Sequence, residues 1–242
     1  MQYQGGKWNL RKDISKIIEL FNYSHIDGYI EPFVGGGSVL SEICKWFPKP
    51  IFASDFNYDL ILFWQAIMSG WLPPEKFELD ETIYYNMFDA PPSPMKTFIL
   101  FGCSFGGGWK NTFARDKRKK ISFYETSRNS LNKKLSTIKT KNIKFEHCSY
   151  FDIENVNNKI IYCDPPYLGT NGYKAVGKFD HNQFHNWCRN ISKNNILIIS
   201  EYFMPDDFEC IFEKEKHNHL QAQTGNQDIK IERIFIHKEG MM

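Results

Sequence analysis

Apolar and polar positions fall into two periods along the chain, and the switching between them outlines the fold. Gly28-Tyr-Ile-Glu-Pro-Phe-Val34 is a short apolar run of the kind that fills a buried strand. Gly35-Gly36-Gly37 breaks it. Ser38 is placed to cap a helix, and Val39 to Phe47 has helical apolar spacing. The pattern then repeats. Pro50 to Ser54 reads as a strand ending at Asp55, and Tyr58 to Ser69 as a helix with Leu60, Ile61, Phe63, Trp64 and Ile67 apolar. Strand–turn–helix units in series predict a parallel sheet.

From Trp71 to about Thr140 the alternation stops. Prolines 73, 74, 91, 92 and 94 and the run Gly106-Gly107-Gly108 interrupt this stretch, with short helices expected at Met95–Phe101 and Ser127–Ile138. Alternation then resumes. Ile143–Cys148, Lys159–Cys163 and Asn195–Ser200 read as strands, and Asn182–Ser192 as a helix. Asp207–Lys214 reads as helical, and His219–Gln223 with Ile231–Lys238 as a terminal antiparallel hairpin. The expected organisation is one α/β domain made of residues 1–70 and 141–242, interrupted by an insertion at 71–140.

The chain has 242 residues, of which 42% are hydrophobic, enough for one sizeable core and short of two. No apolar run is long enough to span a bilayer, and the polar N-terminus lacks a signal peptide's apolar stretch, so a soluble, cytoplasmic protein is expected. Six cysteines lie singly without C-x-x-C spacing, which predicts reduced, mostly buried thiols and no metal site.

The net charge of +2 is small, but it is unevenly spread. Between Trp109 and Lys144 lie twelve Lys and Arg against two acidic residues, Asp116 and Glu125. Such a segment either neutralises phosphates or forms a solvated basic face, and charge alone does not choose between them. Aromatics reach 16%, which suits base stacking, yet the abundance of Lys, Asn and Ile points to a compositional bias that deprives the figure of weight.

Three motifs carry candidate chemistry. Glu31-Pro32-Phe33-Val34-Gly35-Gly36-Gly37-Ser38 is a glycine-rich bend from strand to helix, where backbone approaches a ligand closely or simply turns tightly. Asp55, at the end of the next strand, fits a ribose-binding carboxylate or a helix cap. Asp164-Pro165-Pro166-Tyr167 comes directly after an apolar strand and is far more specific. Two successive prolines fix φ twice and donate no hydrogen bond, so the corner is stiff and its carbonyls are free to accept. A carboxylate, a proline carbonyl and a phenol ring suit a planar ring that bears an amino group. Tyr3-Gln4-Gly5-Gly6-Lys7 says little by itself.

Taken in order, Tyr-x-Gly-Gly-Lys, Glu-Pro-Phe-Val-Gly-Gly-Gly, a basic insertion and Asp-Pro-Pro-Tyr resemble the alpha group of the Dam-like DNA adenine-N6 methyltransferases of phage and bacterial type. Gly102 to Lys110 and Ala114-Arg115 are similar to the insertion of phage-type members. The resemblance implies a Rossmann-like methyltransferase fold and S-adenosylmethionine as methyl donor. Tyr3 and Lys7 would lie over this cofactor. Its methionine part would lie in the turn formed by Pro32, Phe33, Gly35 and Gly37, near Glu31. Asp55 would bind its ribose and Asp152 its adenine, with Asp164 close by. Asp164, Pro165, Pro166 and Tyr167 would be catalytic, acting on an adenine flipped out of double-stranded DNA. Residues 71–140 would recognise the target, with Lys110, Asn111, Arg115, Lys117, Arg118, Lys119, Lys120 and Arg128 as DNA contacts.

The rival readings are the same transfer to an RNA adenine or to cytosine N4, and a catalytically silent DNA-binding relative. Asp rather than Ser at 164 favours adenine, and retention of Lys7, Asp55 and Asp164 together speaks against silence. Cytosine carbon-5 methylation needs a nucleophilic cysteine, usually in Pro-Cys, and no Pro-Cys occurs. The expected setting is the nucleoid of a bacterium or phage-infected host. The expected state is a monomer or weak dimer, with neither metal nor membrane.

Overall fold

The computed structural model of the chain describes residues 1–116, 121–169, 179–216 and 230–240. Its strands are β1 (Gly28–Glu31), β2 (Ile51–Asp55), β3 (Ile143–His147), β4 (Lys159–Cys163), β5 (Ile196–Glu201), β6 (Phe208–Lys216) and β7 (Lys230–His237). They form one sheet in the order β3-β2-β1-β4-β5-β7-β6. The pairs β1–β2, β1–β4, β2–β3 and β4–β5 are parallel, whereas β7 is antiparallel to both β5 and β6. Winding runs outward from β1 through β2 to β3, then restarts on the other side at β4. The reversal lies between β1 and β4, where an open α/β sheet leaves a crevice past its strand ends. Both motif-bearing turns, after β1 and after β4, leave the sheet there.

The helices are α1 (Arg11–Glu19), α2 (Ser38–Ile43), α3 (Tyr58–Met68), α4 (Glu81–Asn86), α5 (Pro94–Gly102), α6 (Phe123–Ile138) and α7 (His181–Ile191). Period-2 alternation in the strands divides the core. Tyr29, Ile160, Tyr162 and Ile198 face one layer with α1, α2, α3, α5 and α6; Ile30, Ile161, Cys163 and Leu197 face the other with Phe184, Trp187 and Ile191 of α7. Phe98 to Phe101 of α5 and Leu131, Leu135 and Ile138 of α6 share a single core with Leu40 and Trp64. Among the described residues, side-chain caps start five α-helices: Asn57, Asp80, Ser93, Ser122 and Asp180 each accept a backbone N–H three residues on. Each such cap contributes on the order of 1 kcal/mol.

Several elements depart from expectation. The stretch expected to form a helix at Asp207–Lys214 is strand β6. Phe208, Ile211 and Phe212 fit helical spacing, but a bulge makes Ile211 an extra residue between the pairs Cys210–Phe235 and Phe212–Ile234. The bulge sends Phe208 into one core layer and Phe212 toward the other. β6 is thus the outer arm of the terminal hairpin, and His219–Gln223, expected in that place, lies outside the described residues. Ser38 does not cap α2: Gly37 occupies the cap position at φ 64°, and Ser38 is the first helical residue. The short α4 and the N-terminal α1 are not among the expected elements; α1 has no side-chain cap to announce it, although its Ile14, Ile17 and Ile18 follow helical spacing. Among the described residues, no helix is long and apolar enough to cross a membrane.

Candidate active site

The crevice between β1 and β4 holds a cavity of about 290 Å³. Tyr3, Lys7, Glu31, Pro32, Phe33, Gly35, Asp55, Asp164 and Pro166 line it, so most of the expected residues come together although they span the chain from position 3 to 166.

The glycine bend is held from all sides. Val34 N–H donates to the Ser54 carbonyl at 3.0 Å, and Trp64 Nε1 donates to the Gly35 carbonyl at 3.0 Å. Lys134, only 3% exposed, donates to the Gly36 carbonyl and to Ser38 Oγ. Tyr3 lies against the bend so closely that a Cβ on Gly36 would sit 2.6 Å from that of Tyr3. On the opposite side a Cβ on Gly37 would meet the Trp64 ring at 2.8 Å. Only glycines fit between these two aromatic residues without moving one of them.

Asp55 closes the bend. Its carboxylate accepts N–H from Gly35 at 3.0 Å and from Asn57 at 2.9 Å. Burial pushes its carboxyl up to about 6 against the pull of these two donors. Asn57, not Asp55, caps α3. Glu31 is 2% exposed and accepts the Tyr29 hydroxyl at 2.8 Å. Burial first, and the neighbouring Asp164 as well, push its carboxyl up to about 8, against the Tyr29 hydrogen bond.

The Asp164–Tyr167 corner faces the same cavity. Lys7 Nζ lies 2.7 Å from Asp164 Oδ1 and 4.4 Å from the centre of the Tyr167 ring. Tyr202 meets that ring edge-on at 4.5 Å, and the Tyr167 hydroxyl donates to Glu232 Oε2 at 2.9 Å. Beyond the corner, Glu201 accepts N–H from Leu168 at 3.1 Å and from Tyr202 at 2.6 Å. Burial pushes Glu201 up to about 7, against these donors.

Other expected residues lie elsewhere. Asp152 does not line the cavity; its carboxylate accepts the Ser149 N–H at 2.8 Å in a reciprocal cap, and Ser149 and Tyr150 line the wall instead. Gly37 and Pro165 lie behind the lining, and Tyr167 is 9% exposed. Of the expected DNA contacts, Lys117 to Lys120 lie outside the described residues. Arg115 pairs with Glu81, and Arg128 Nε donates to the Pro73 carbonyl at 3.2 Å. Asn111 spends its side chain on its own turn, with Nδ2 donating to the Phe105 carbonyl at 3.0 Å. Lys110 lies 5.6 Å from the Phe88 ring centre.

Phe56, Asn57, Tyr150, Phe179, Asp180 and Gln183 also line the cavity, and the sequence alone did not single them out. Phe56 and Asn57 directly follow a parallel strand, where ligands gather, so their position in the pattern was a usable signal. Phe179 and Asp180 come just before α7, the helix that the spacing predicts from Asn182, and Gln183 lies in its first turn; that this helix start faces the crevice is what the spacing does not tell.

The donor set fits S-adenosylmethionine. A carboxylate stands at the end of β2 for hydroxyl groups, Phe33, Phe56 and Phe179 supply apolar walls, and a side-chain-free bend meets acidic oxygens from Glu31 and Asp164. A sequence profile described as D12 class N6 adenine-specific DNA methyltransferase matches residues 3–85 and 107–225. The type II methyltransferase M.MjaIII of Methanocaldococcus jannaschii is 25% identical over 256 residues, covering 88% of this chain and 87% of its own. The modification methylase StsI of Streptococcus sanguinis is 24% identical over 230 residues; the match covers 84% of this chain and 33% of that protein. Among solved structures, the rRNA methyltransferase aviRa of Streptomyces viridochromogenes superposes with a TM-score of 0.49 at 8% identity, covering 98% of this chain and 87% of its own. On the profile match over most of its length, which its mostly parallel sheet accompanies, the chain belongs to the D12 class of N6 adenine-specific DNA methyltransferases.

Proposed function

We propose that the Asp164–Tyr167 corner takes up an adenine extruded from duplex DNA and presents its amino nitrogen to the cavity. What carries this reading is the meeting of the corner with the glycine bend in one crevice. When bound, S-adenosylmethionine supplies the methyl group, carried on an electron-poor sulfonium. Asp55 would hold its ribose, the Phe33–Gly36 bend its methionine part, and Phe56 its base.

The chain's own task is orientation. The adenine amino lone pair is delocalised into the ring, so the nitrogen is a poor nucleophile. Asp164 and the Pro165 carbonyl accept its two hydrogens, which draws the nitrogen toward tetrahedral geometry and concentrates the lone pair on the cavity side. Asp164 holds one N–H throughout and takes the proton afterwards. Tyr167 offers a ring face, and stacking there returns about 1–3 kcal/mol of the cost of flipping. Lys7 sits 4.4 Å from the centre of that ring and must shift when the base arrives. The stretch 71–140 serves as the target-recognition insertion, and its basic run meets the phosphates.

The test is transfer of a tritiated methyl group to unmethylated DNA, followed by nucleoside analysis. The label should appear in N6-methyladenine, and Asp164→Ala should abolish it without unfolding the protein. Unchanged turnover in that variant removes the assignment of the corner.

A further inference from the structure

Glu232 lies outside the stretch matched by the family profile, which ends at residue 225. It is the third residue of β7 and is 4% exposed. β7 runs antiparallel to β5, so its first residues lie at the sheet edge where the parallel strands end. That register carries a carboxylate from the C-terminal hairpin into the catalytic corner.

Two contacts define what it does there. Glu232 Oε2 accepts the Tyr167 hydroxyl at 2.9 Å, and the same oxygen lies 3.9 Å from Lys7 Nζ. Lys7 in turn is 2.7 Å from Asp164. One carboxylate thus touches both the ring that would receive the base and the cation paired with the acceptor. We infer that Glu232 is a positioning residue for methyl transfer: it fixes the Tyr167 ring and shares the Lys7 ammonium with Asp164.

The physical case has two parts. A phenol anchored at its hydroxyl loses lateral freedom that ring contacts such as that with Tyr202 leave it. An ammonium with Asp164 as its one carboxylate partner would compete more strongly with the amino hydrogen for that carboxylate. A second buried carboxylate within 4 Å divides the attraction and leaves Asp164 acceptor capacity. The inference rests on the assignment of the Asp164–Tyr167 corner and goes beyond it to a residue on another element.

The test compares Glu232→Gln, Glu232→Ala and Asp164→Ala by single-turnover transfer of tritiated methyl to unmethylated phage-genome DNA. Melting temperature and cofactor affinity are measured alongside. Gln keeps an acceptor for the phenol and removes the charge; Ala removes both. The Gln variant should lose on the order of tenfold in single-turnover rate and the Ala variant roughly a hundredfold, as expected when a reacting group is misplaced. Both should bind S-adenosylmethionine as the wild type does, and the pH–rate profile of the Gln variant should shift because the charge facing Lys7 is gone.

A wild-type rate and pH profile in Glu232→Gln overturns the inference, as does a rate loss in Gln and Ala that merely follows a fall in melting temperature. An inactive Asp164→Ala beside a fully active Glu232→Gln removes only the role of Glu232. An active Asp164→Ala removes the corner itself.

Discussion

Lys134 donates its buried ammonium to the carbonyl of Gly36, joining the last helix before β3 to the bend after β1. By sequence this lysine sits in the basic stretch that suggests phosphate contacts. By structure it is a strut for the glycine bend. Lys134→Met keeps the bulk and removes the donor, leaving a buried carbonyl short of a partner, a loss of about 1–3 kcal/mol. The variant should melt at a lower temperature and bind S-adenosylmethionine roughly tenfold more weakly, since 1.4 kcal/mol is a factor of ten. The salt dependence of its DNA binding should equal that of the wild type. Calorimetric titration with cofactor and DNA binding across a salt series separate the two roles.

Lys134 also shows why part of the site was not legible. Strands β1, β2 and β4 are buried on both faces, so their sequences are apolar runs that stand out, and prolines and glycines punctuate them sharply. The corner at Asp164 and the bend at Gly35 were readable for that reason. Their meeting was readable only through the resemblance of motif order to a known family. Lys134 gave no signal, because a lysine among lysines does not say which one is buried. β6 misled because Phe208, Ile211 and Phe212 satisfy two periods at once and only a bulge decides between them. Glu232 becomes visible only after the hairpin is known to run antiparallel.

If Asp55 holds the ribose as proposed, cofactor affinity should depend on pH. Burial raises its carboxyl to about 6, and hydroxyl donors from a ribose favour the ionised form. Binding therefore weakens as pH falls through that value, by up to roughly tenfold per pH unit well below it. Calorimetry from pH 5 to pH 8 should show this slope in the wild type. Asp55→Asn should bind more weakly throughout and show no slope between pH 5 and 7. An identical slope in the variant would assign the titration to another group.

Glu31 and Glu201 make stability fall with rising pH. Their folded-state values are raised, to about 8 and about 7, so the folded protein holds protons that the unfolded chain has released. Stability from these groups is complete below the unfolded carboxylate range, near pH 4.5, and is lost as pH rises through 7 and 8. The cofactor-free protein should melt at a higher temperature at pH 6 than at pH 8.5. Glu201→Gln, which keeps one acceptor for the N–H groups of Leu168 and Tyr202, should shrink that difference. A melting temperature that rises from pH 6 to pH 8.5 would mean that other groups dominate the balance.

Under the proposed function, the basic residues between Trp109 and Lys144 should divide into ones that brace the fold and ones that meet phosphate. Arg128 belongs to the first kind: its guanidinium bonds the Pro73 carbonyl and pairs with Glu75 at 3.3 Å. Arg128→Ala should cost about 1 kcal/mol of stability and leave the salt slope of DNA binding unchanged. Lys117, Arg118, Lys119 and Lys120 are expected to be of the second kind. Removing one cation that meets a phosphate should flatten the plot of log affinity against log salt by about one unit, so reversing all four charges should change the slope by several. Affinity should drop for every duplex sequence alike, because phosphate binding carries no base information. If Arg128→Ala moves the slope and the fourfold reversal does not, the bracing and binding roles are the other way round.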